Sequence, residues 1–272
     1  MRVLVSGAGI SGPTLAYFLA KKPGAHITVL EKSHALLPYG QNIDLEGSAL
    51  TVIQKMGLLD ELRRWNTTEK GTQFIDPNGQ PFAPFPVKKG HASPTSEFEI
   101  LRGDLARILY DSAKDLPNVD FQFGTTIQEV ISNDVDNVKV RLNDGKVHQY
   151  DLLVAADGQW SRIRKHCFSP PKIIDLGMHA VYCTIPRTDH DNDWWNIYNA
   201  LGSRVISLRP DPHGTVRAAL ICMPLNDDQN AAWLAAASSK NDRQTQVDFL
   251  RTQFADAGWE AQRILASDGR SA

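Results

Sequence analysis

The chain has 272 residues and a formal net charge of −2 at pH 7, which suits one large domain or two smaller ones. The near balance of charge and the absence of a long basic run argue against nucleic acid as a partner. Three cysteines without a C-x-x-C pair argue against a disulfide framework or zinc site, and no stretch approaches the ~20 apolar residues of a membrane span. We therefore expect a cytoplasmic protein.

The first thirty-one residues predict a buried strand, a glycine turn, a helix and a second strand. Gly7, Gly9 and Gly12 have the G-x-G-x-x-G spacing. In this pattern the first glycine allows a tight turn, the second lets the backbone approach a diphosphate, and the third lets the helix pack on the strand. The helix N-terminus would direct unpaired N–H groups at the phosphates. We predict a dinucleotide site formed by Gly7, Gly9, Ile10, Ser11 and Gly12.

Glu31 ends the second predicted strand, nineteen residues after Gly12. At that position a carboxylate accepts hydrogen bonds from the ribose hydroxyls of the nucleotide, which favours FAD or NAD over NADP. Lys32 follows directly and is included in the candidate site.

Four later residues each have two interpretations. Asp44 is either a cofactor contact or an ordinary residue at the start of a helix. Arg102, at a predicted strand-to-helix junction, is placed to meet a phosphate or ribityl oxygen, or else forms a surface ion pair. Asp157 and Gly158 follow a predicted buried strand, at the edge where open α/β sheets bind ligands, but they also fit a plain turn.

The remaining pattern predicts further elements along the chain. Residues 47–64 predict two helices separated at Gly57, and residues 71–94 a hairpin with a proline-rich loop. Four segments predict a meander of strands, 119–123, 126–131, 138–142 and 146–150. A second, mostly antiparallel sheet is predicted from residues 178–185, 195–201, 204–208 and 216–223, followed by helices near 228–237 and 245–257.

The aspartates at 189, 191 and 193 alternate like the start of a calcium-binding loop. Trp194 stands where that loop needs glycine, and Ala200 stands where it needs glutamate. We therefore predict no metal site.

Three stretches together resemble a known family. The opening motif, Leu101–Leu105 and Val154–Arg164 come in the order seen in single-component flavin monooxygenases of the p-hydroxybenzoate hydroxylase type. Essentially the whole chain resembles this family, and residues 40–45 and 244–249 look most like its tetracycline-hydroxylating branch. The resemblance implies a role in secondary metabolism.

The resemblance implies an α/β fold with two domains. A Rossmann-like FAD-binding domain would span 1–70 and 96–168, and a substrate domain with a mixed or antiparallel sheet would span 71–95 and 169–272. It also implies FAD as cofactor, NAD(P)H as co-substrate, and hydroxylation of an aromatic or polyketide-like molecule through a flavin C4a-hydroperoxide. Because the flavin carries the oxygen chemistry, we name no catalytic acid or base.

The sequence departs from the family pattern in two places. Leu36 to Pro38 stand where tetracycline-type members have an arginine linked to nicotinamide nucleotide binding. A later G-D motif, whose aspartate holds the ribityl chain, is not reached, so we expect a C-terminally truncated form that binds FAD weakly and is a poor monooxygenase. Two alternatives stay open: a flavin-dependent reductase or dehydrogenase, and an inactive fragment that binds nucleotide or a partner.

Overall fold

The computed structural model describes residues 1–88, 93–168, 173–238 and 242–267. The chain divides into two compact units. The first consists of Met1–Gly40, Leu50–Arg64 and Arg102–Ile173, and the second of Gln41–Ala49, Trp65–Leu101 and Ile174–Ala272. The first unit combines a parallel sheet with helices and an antiparallel sheet dominates the second, so the predicted α/β class is confirmed.

The elements of the first half, in chain order, are β1 (Arg2–Ser6), α1 (Ser11–Leu19), β2 (His26–Glu31), β3 (Asn42–Asp44), α2 (Ser48–Met56), α3 (Leu59–Arg64), β4 (Gly71–Ile75), β5 (Pro81–Pro86), β6 (Glu99–Leu101), α4 (Arg102–Asp111), β7 (Val119–Phe123) and β8 (Ile127–Asn133). Those of the second half are β9 (Val138–Leu142), β10 (Val147–Tyr150), β11 (Leu152–Ala155), α5 (Arg162–Cys167), β12 (His179–Pro186), β13 (Trp195–Ala200), β14 (Arg204–Pro210), β15 (Thr215–Cys222), α6 (Asp227–Ser238), α7 (Arg243–Gln253) and α8 (Ala261–Ala266).

The first unit is built on a parallel sheet with the strand order β11-β1-β2-β7. Val3, Val5 and Val29 are fully buried in it, as the apolar runs of β1 and β2 predict. The predicted four-strand meander is wrong in its first member, because β7 pairs with β2 while β8, β9 and β10 form a separate antiparallel sheet. Phe121 of β7 also packs edge-on against Tyr110 of α4, at a centroid distance of 4.8 Å, a contact that the strand pattern alone does not predict.

The prediction that β11 is buried is also wrong. Within the described residues β11 pairs on one side only, with β1, and so forms an edge of the sheet. Leu152 is 44% exposed and Ala155 is exposed as well. An apolar strand sequence alone does not distinguish an edge position from a central one.

The second unit contains a six-stranded sheet with the order β12-β15-β14-β13-β4-β5, in which β13 and β4 are parallel and the other pairs antiparallel. One face of this sheet forms a core with the three C-terminal helices through Trp233, Phe254 and Ile264. The predicted hairpin and sheet strands are confirmed, and so are the two helices predicted after the sheet, which are α6 and α7. Helix α8 escaped prediction because six residues are too few to show a helical period.

A two-stranded ribbon also belongs to the second unit. Strand β3 pairs antiparallel with β6, with Asn42 opposite Leu101 and Asp44 opposite Glu99. This pairing brings 41–49 and 96–101 into the second unit, although the sequence reading placed both segments in the FAD-binding domain. Across the residues that the structure describes, no helix is long and apolar enough to cross a bilayer.

Candidate functional site

The glycine turn after β1 is closely packed on one side and open on the other. Gly7 has φ +109°, and a β-carbon there would lie 2.4 Å from the carbonyl oxygen of Ala156. A β-carbon on Gly12 would lie 1.9 Å from the carbonyl oxygen of Gly7. A β-carbon on Gly9 would meet no heavy atom within 4 Å. The turn therefore requires two of its glycines for its own packing, whereas Gly9 leaves its outer surface open to a ligand.

The N-terminus of α1 faces this opening without a cap. Ile10 occupies the N-cap position with no side-chain hydrogen bond, and the first turn contains no acidic residue. In the described structure the N–H groups of Gly9, Ile10 and Ser11 have no acceptor. Unpaired N–H groups and the positive end of the helix dipole together form an anion site, and no carboxylate of the first turn competes for it.

Glu31 is held beside the glycine turn by two backbone groups. Its Oε2 accepts a hydrogen bond from Ala8 N at 3.1 Å, and its Oε1 accepts one from Ser33 N at 3.0 Å. Each carboxylate oxygen retains a lone pair for a further donor. The carboxylate is thus fixed in orientation and able to accept from two adjacent hydroxyl groups. Lys32, the next residue, is exposed.

Asp157 lies where β11 passes the glycine turn. Its Cα would be 3.0 Å from a β-carbon on Gly7, and its Oδ2 accepts a hydrogen bond from Arg162 N at 3.0 Å. Its Oδ1 is buried and has no partner among the described residues. A buried carboxylate oxygen without a donor is unfavourable. We therefore expect this atom to accept a hydrogen bond from a ligand hydroxyl or a water molecule. Gly158 follows with φ +80°, which turns the chain away from the strand.

Arg102 is the first residue of α4, as the sequence predicts for a strand-to-helix junction. Its side chain is exposed, and a β-carbon on Gly40 would lie 2.6 Å from its Cβ. No ion pair engages its guanidinium in the part of the chain that the structure describes. The charge is therefore available to an anionic ligand.

Asp44 differs from the other ten candidates because it belongs to the second unit. It ends β3, and its Oδ1 accepts a hydrogen bond from Ser96 N at 2.7 Å. The interpretation of Asp44 as a helix-starting residue is wrong, because α2 begins at Ser48 and Asp44 pairs within the β3–β6 ribbon instead. Its role as a cofactor contact stays a prediction.

Two of the three aspartates that alternate like a calcium-binding loop form ion pairs. Asp191 receives both terminal nitrogens of Arg263, at 2.7 and 2.6 Å, and Asp193 lies 2.6 Å from Arg187 Nη2 and 3.1 Å from Lys70 Nζ. Over the described ranges no cluster of His, Cys, Asp or Glu has the arrangement of a metal site.

Residues 1–261 match a family described as FAD binding domain. The chain belongs to this FAD binding domain family. FAD is accordingly its cofactor, as the sequence predicted.

Two similar proteins and one solved structure support this family assignment. The flavin-dependent monooxygenase eupH of a Phoma species is 35% identical over 97% of this chain and 62% of its own length. The monooxygenase CTB7 of Cercospora beticola is 35% identical over 93% of this chain and 62% of its own length. The crystal structure of tetracycline destructase Tet(51) superposes with a TM-score of 0.76 at 27% identity, covering all of this chain and 67% of that one. The predicted resemblance to FAD-dependent monooxygenases is confirmed, and the chain spans 62% of the length of the two curated relatives.

The residues of the first unit fit FAD. The open side of Gly9 and the three unpaired N–H groups suit a diphosphate, the Glu31 carboxylate suits a ribose diol, and the unpartnered Asp157 Oδ1 suits a ribityl hydroxyl. Sequence reasoning missed Ala8 and Ala156, whose backbone groups lie against the candidate FAD-binding residues. Ala8 donates to Glu31, and Ala156 crosses above Gly7. Neither carries a sequence signal, because both act through backbone atoms.

A groove of about 550 Å³ also lies in the first unit, beside β11 and α5. It is lined largely by apolar side chains such as Val138, Leu153, Ile163 and Phe168. Of the eleven candidate residues, Gly158 alone borders it. Most of the candidate FAD-binding residues therefore lie outside this groove.

Proposed function

We propose that the chain is an FAD-dependent monooxygenase that hydroxylates an aromatic or polyketide-like small molecule, with NAD(P)H as reductant and O₂ as oxidant. The observation that carries the proposal is that two relatives named monooxygenases are 35% identical over more than 90% of this chain. The structural likeness to a tetracycline destructase at 27% identity supports a polycyclic polyketide as the substrate class.

In this proposal the first unit binds and orients the cofactor. The N-terminus of α1 and the N–H groups of Gly9, Ile10 and Ser11 neutralise the diphosphate, and Arg102 adds a positive charge. Glu31 accepts hydrogen bonds from the adenosine ribose, and Asp157 Oδ1 accepts one from the ribityl chain. Bound FAD would supply the electron transfer from NAD(P)H and the activation of O₂, while the protein orients the reactants and excludes water.

The second unit offers a surface suited to the substrate. Alternation along β13, β14 and β15 places Trp195, Ile197, Val205 and Ile221 on the sheet face opposite the helices. These side chains are half-buried, and Tyr182 of β12 on the same face is 53% exposed. An aromatic and aliphatic face of this kind suits a flat, mostly apolar molecule. We therefore assign cofactor binding to the first unit and substrate binding to the second.

We place this reaction in the cytoplasm. Cys167, Cys183 and Cys222 are all free thiols in the structure. Free thiols and a nicotinamide reductant both suit a reducing compartment. Fractionation of the source cells, with the protein detected by antibody, tests this location.

The reaction is tested with ¹⁸O₂. The chain is reconstituted with FAD, supplied with NADPH or NADH, and incubated with tetracycline and a panel of phenolic polyketides. The proposal predicts a product that carries one ¹⁸O atom, formed only when both the reductant and oxygen are present. A matched reaction without reductant is the control.

The two alternatives give different results in the same assay. A flavin-dependent reductase or dehydrogenase would consume NAD(P)H and change the substrate without ¹⁸O in the product. An inactive fragment would hold FAD yet leave every compound unchanged. Either pattern, found with FAD bound in full stoichiometry, contradicts the proposed function.

A further inference from the structure

Two buried carboxylates surround one guanidinium in the second unit. The Glu69 side chain is 0% exposed and that of Glu99 is 1% exposed, while that of Arg209 is 13% exposed. Arg209 Nε lies 3.0 Å from Glu69 Oε2, and its Nη2 lies 3.3 Å from Glu69 Oε1 and 2.5 Å from Glu99 Oε1. One nitrogen thus contacts both carboxylates, and the contact with Glu99 has the distance of an ion pair without hydrogen-bond geometry.

Buried hydroxyl groups complete the surroundings of both carboxylates. Thr95 Oγ1 donates to Glu69 Oε1 at 2.5 Å, and Thr67 Oγ1 donates to Glu99 Oε2 at 2.7 Å. The threonines are 1% and 2% exposed, so water has little access. On its other side the guanidinium lies 4.0 Å from the ring centroid of Trp195, whose indole N–H donates to Ser207. The guanidinium therefore has a fixed position against the six-stranded sheet.

The charges in this cluster do not balance. Glu69 and Glu99 carry two negative charges when ionised, and Arg209 supplies one positive charge. Asp44, on the strand paired with β6, adds a further negative potential that raises the pKa of Glu69. Burial, the largest effect, raises the pKa of Glu69 and raises that of Glu99 to about 7, against the opposing attraction of Arg209. Removing the excess charge requires one proton, because a second buried carboxylate without its own cation is strongly unfavourable.

The cluster joins segments that are far apart in sequence. Glu99 lies in β6, Thr95 in the segment before it, Thr67 and Glu69 in the segment before β4, and Arg209 in β14. The backbone of Glu99 also accepts a hydrogen bond from Thr67 N at 3.2 Å. The side chains of this cluster therefore connect the β3–β6 ribbon to the six-stranded sheet.

We propose that Glu69 and Glu99 share one proton across Arg209, and that this proton acts as a pH-dependent latch holding β6 and residues 93–98 against the six-stranded sheet of the second unit. With the proton present the cluster is neutral and the ribbon stays attached. Without it a net negative charge is enclosed between the ribbon and the sheet. The latch stands on the contacts within this unit and does not depend on the proposed monooxygenase activity.

The direction of the pH effect follows from the raised pKa values. When the ribbon opens, Glu99 meets water and regains its ordinary pKa near 4.5. Between that value and about 7 the closed form alone keeps the proton, so each unit of increasing pH favours opening by up to about tenfold. Above about 7 both forms are ionised and the effect levels off. The latch is thus tightest in mild acid.

Hydrogen exchange measures this opening directly. Exchange of the peptide covering 93–101 is followed by mass spectrometry from pH 5.5 to 8.5, with intrinsic rates corrected for pH. Wild type is expected to lose protection by several-fold up to about tenfold per pH unit until about pH 7, and then to level off. Glu99→Gln, which imitates the protonated form, should show little pH dependence. Glu46→Gln, at an exposed glutamate of the same unit, is the matched control and should keep it. The peptide of β15 in the second unit reports opening of the whole unit.

A second measurement stands even if Glu99→Gln does not fold. Wild-type protein carrying ¹³C in the glutamate carboxyl groups is titrated by NMR. One glutamate resonance with a midpoint near neutral pH is expected, and it should be lost or displaced in Glu69→Gln. The latch is refuted if every glutamate titrates near its ordinary value, or if the 93–101 peptide has the same pH dependence in wild type and Glu99→Gln.

Discussion

Gly12 approaches Gly7 so closely that a β-carbon on Gly12 would lie 1.9 Å from the Gly7 carbonyl oxygen. Helix α1 thereby packs directly on the turn that follows β1, and its N-terminus takes a fixed direction. Gly9, two residues after Gly7, has no such neighbour within 4 Å. Gly12 is therefore needed for folding, whereas Gly9 is available for ligand binding.

Alanine at these two positions should have opposite effects. We predict that Gly12→Ala lowers the free energy of unfolding by about 3 kcal/mol or more, because backbone must move to admit the methyl group. Gly9→Ala should leave stability nearly unchanged and weaken FAD binding by about tenfold or more, because its methyl group fills the diphosphate approach. Urea unfolding and a flavin titration measure the two effects. Equal loss of stability in both variants would contradict this division.

Glu31 should contribute to both binding and folding. We predict that Glu31→Ala weakens FAD binding by about 1–3 kcal/mol, because the ribose hydroxyls lose charged acceptors. The free protein should also lose about 1 kcal/mol of stability, because Ala8 N and Ser33 N lose their acceptors. Glu31→Gln, which retains one acceptor oxygen, should fall between wild type and alanine in both measurements. Unchanged flavin affinity in Glu31→Ala would remove this residue from the site.

Asp157 tests whether the turn at Asp157 and Gly158 holds the cofactor. Asp157→Asn keeps an oxygen for Arg162 N but removes the charge beside the buried Oδ1 position. We predict weaker FAD binding with an unchanged circular dichroism spectrum. Asp157→Ala should weaken FAD binding further and lower stability by about 1 kcal/mol through loss of the bond to Arg162. If Asp157→Asn unfolds while FAD affinity per folded molecule is unchanged, the residue is a structural turn.

Asp211 should make the second unit sensitive to acid. Its side chain is 0% exposed and accepts hydrogen bonds from Arg217 Nε at 3.0 Å, His213 N at 2.9 Å and Thr215 N at 3.0 Å. Burial alone would raise the pKa of Asp211, but the bonds from Thr215, His213 and Arg217 outweigh it and lower the pKa. The stabilisation is complete above the ordinary value of 3.8 and is lost as the pH falls through the lower folded value.

The measurement is urea unfolding at pH 7 and again near pH 3. Wild type should lose stability on acidification, and Asp211→Asn should lose less while being about 1–3 kcal/mol less stable at pH 7. Asp242, whose carboxylate is exposed at the N-terminus of α7, provides a matched aspartate for comparison. An Asp211→Asn variant that matches wild type at both pH values would show that the turn does not depend on the charge.

The sequence predicted the glycine turn well because its signals are local. The positions of Gly7, Gly9 and Gly12 restrict the backbone whatever lies around them, and Glu31 follows at a fixed distance along the strand. The pairing of Asp44 with Glu99 could not be predicted. These residues are 55 positions apart, and the strands β3 and β6 that contain them carry no distinctive motif. The exposure of β11 was missed for a related reason: burial depends on the neighbours of a strand and not on its own residues.

The buried cluster of Glu69, Glu99 and Arg209 was also beyond prediction from the sequence. Glu69, Glu99 and Arg209 read as ordinary surface charges in sequence, because charged residues are seldom fully buried. Glu69 and Arg209 can be buried because they form an ion pair with each other, although they are 140 residues apart in sequence. No periodicity or motif in the chain reports such a contact.

Binding of FAD at the glycine turn is tested most directly by titrating the purified 272-residue chain with FAD, followed by absorption and by quenching of flavin fluorescence. We expect saturation at one FAD per chain, with binding weakened by about tenfold or more in Gly9→Ala and by about fivefold or more in Glu31→Ala while both variants remain folded. Absence of saturable binding, or binding that neither substitution changes, would contradict the claim that the glycine turn and Glu31 form the FAD site.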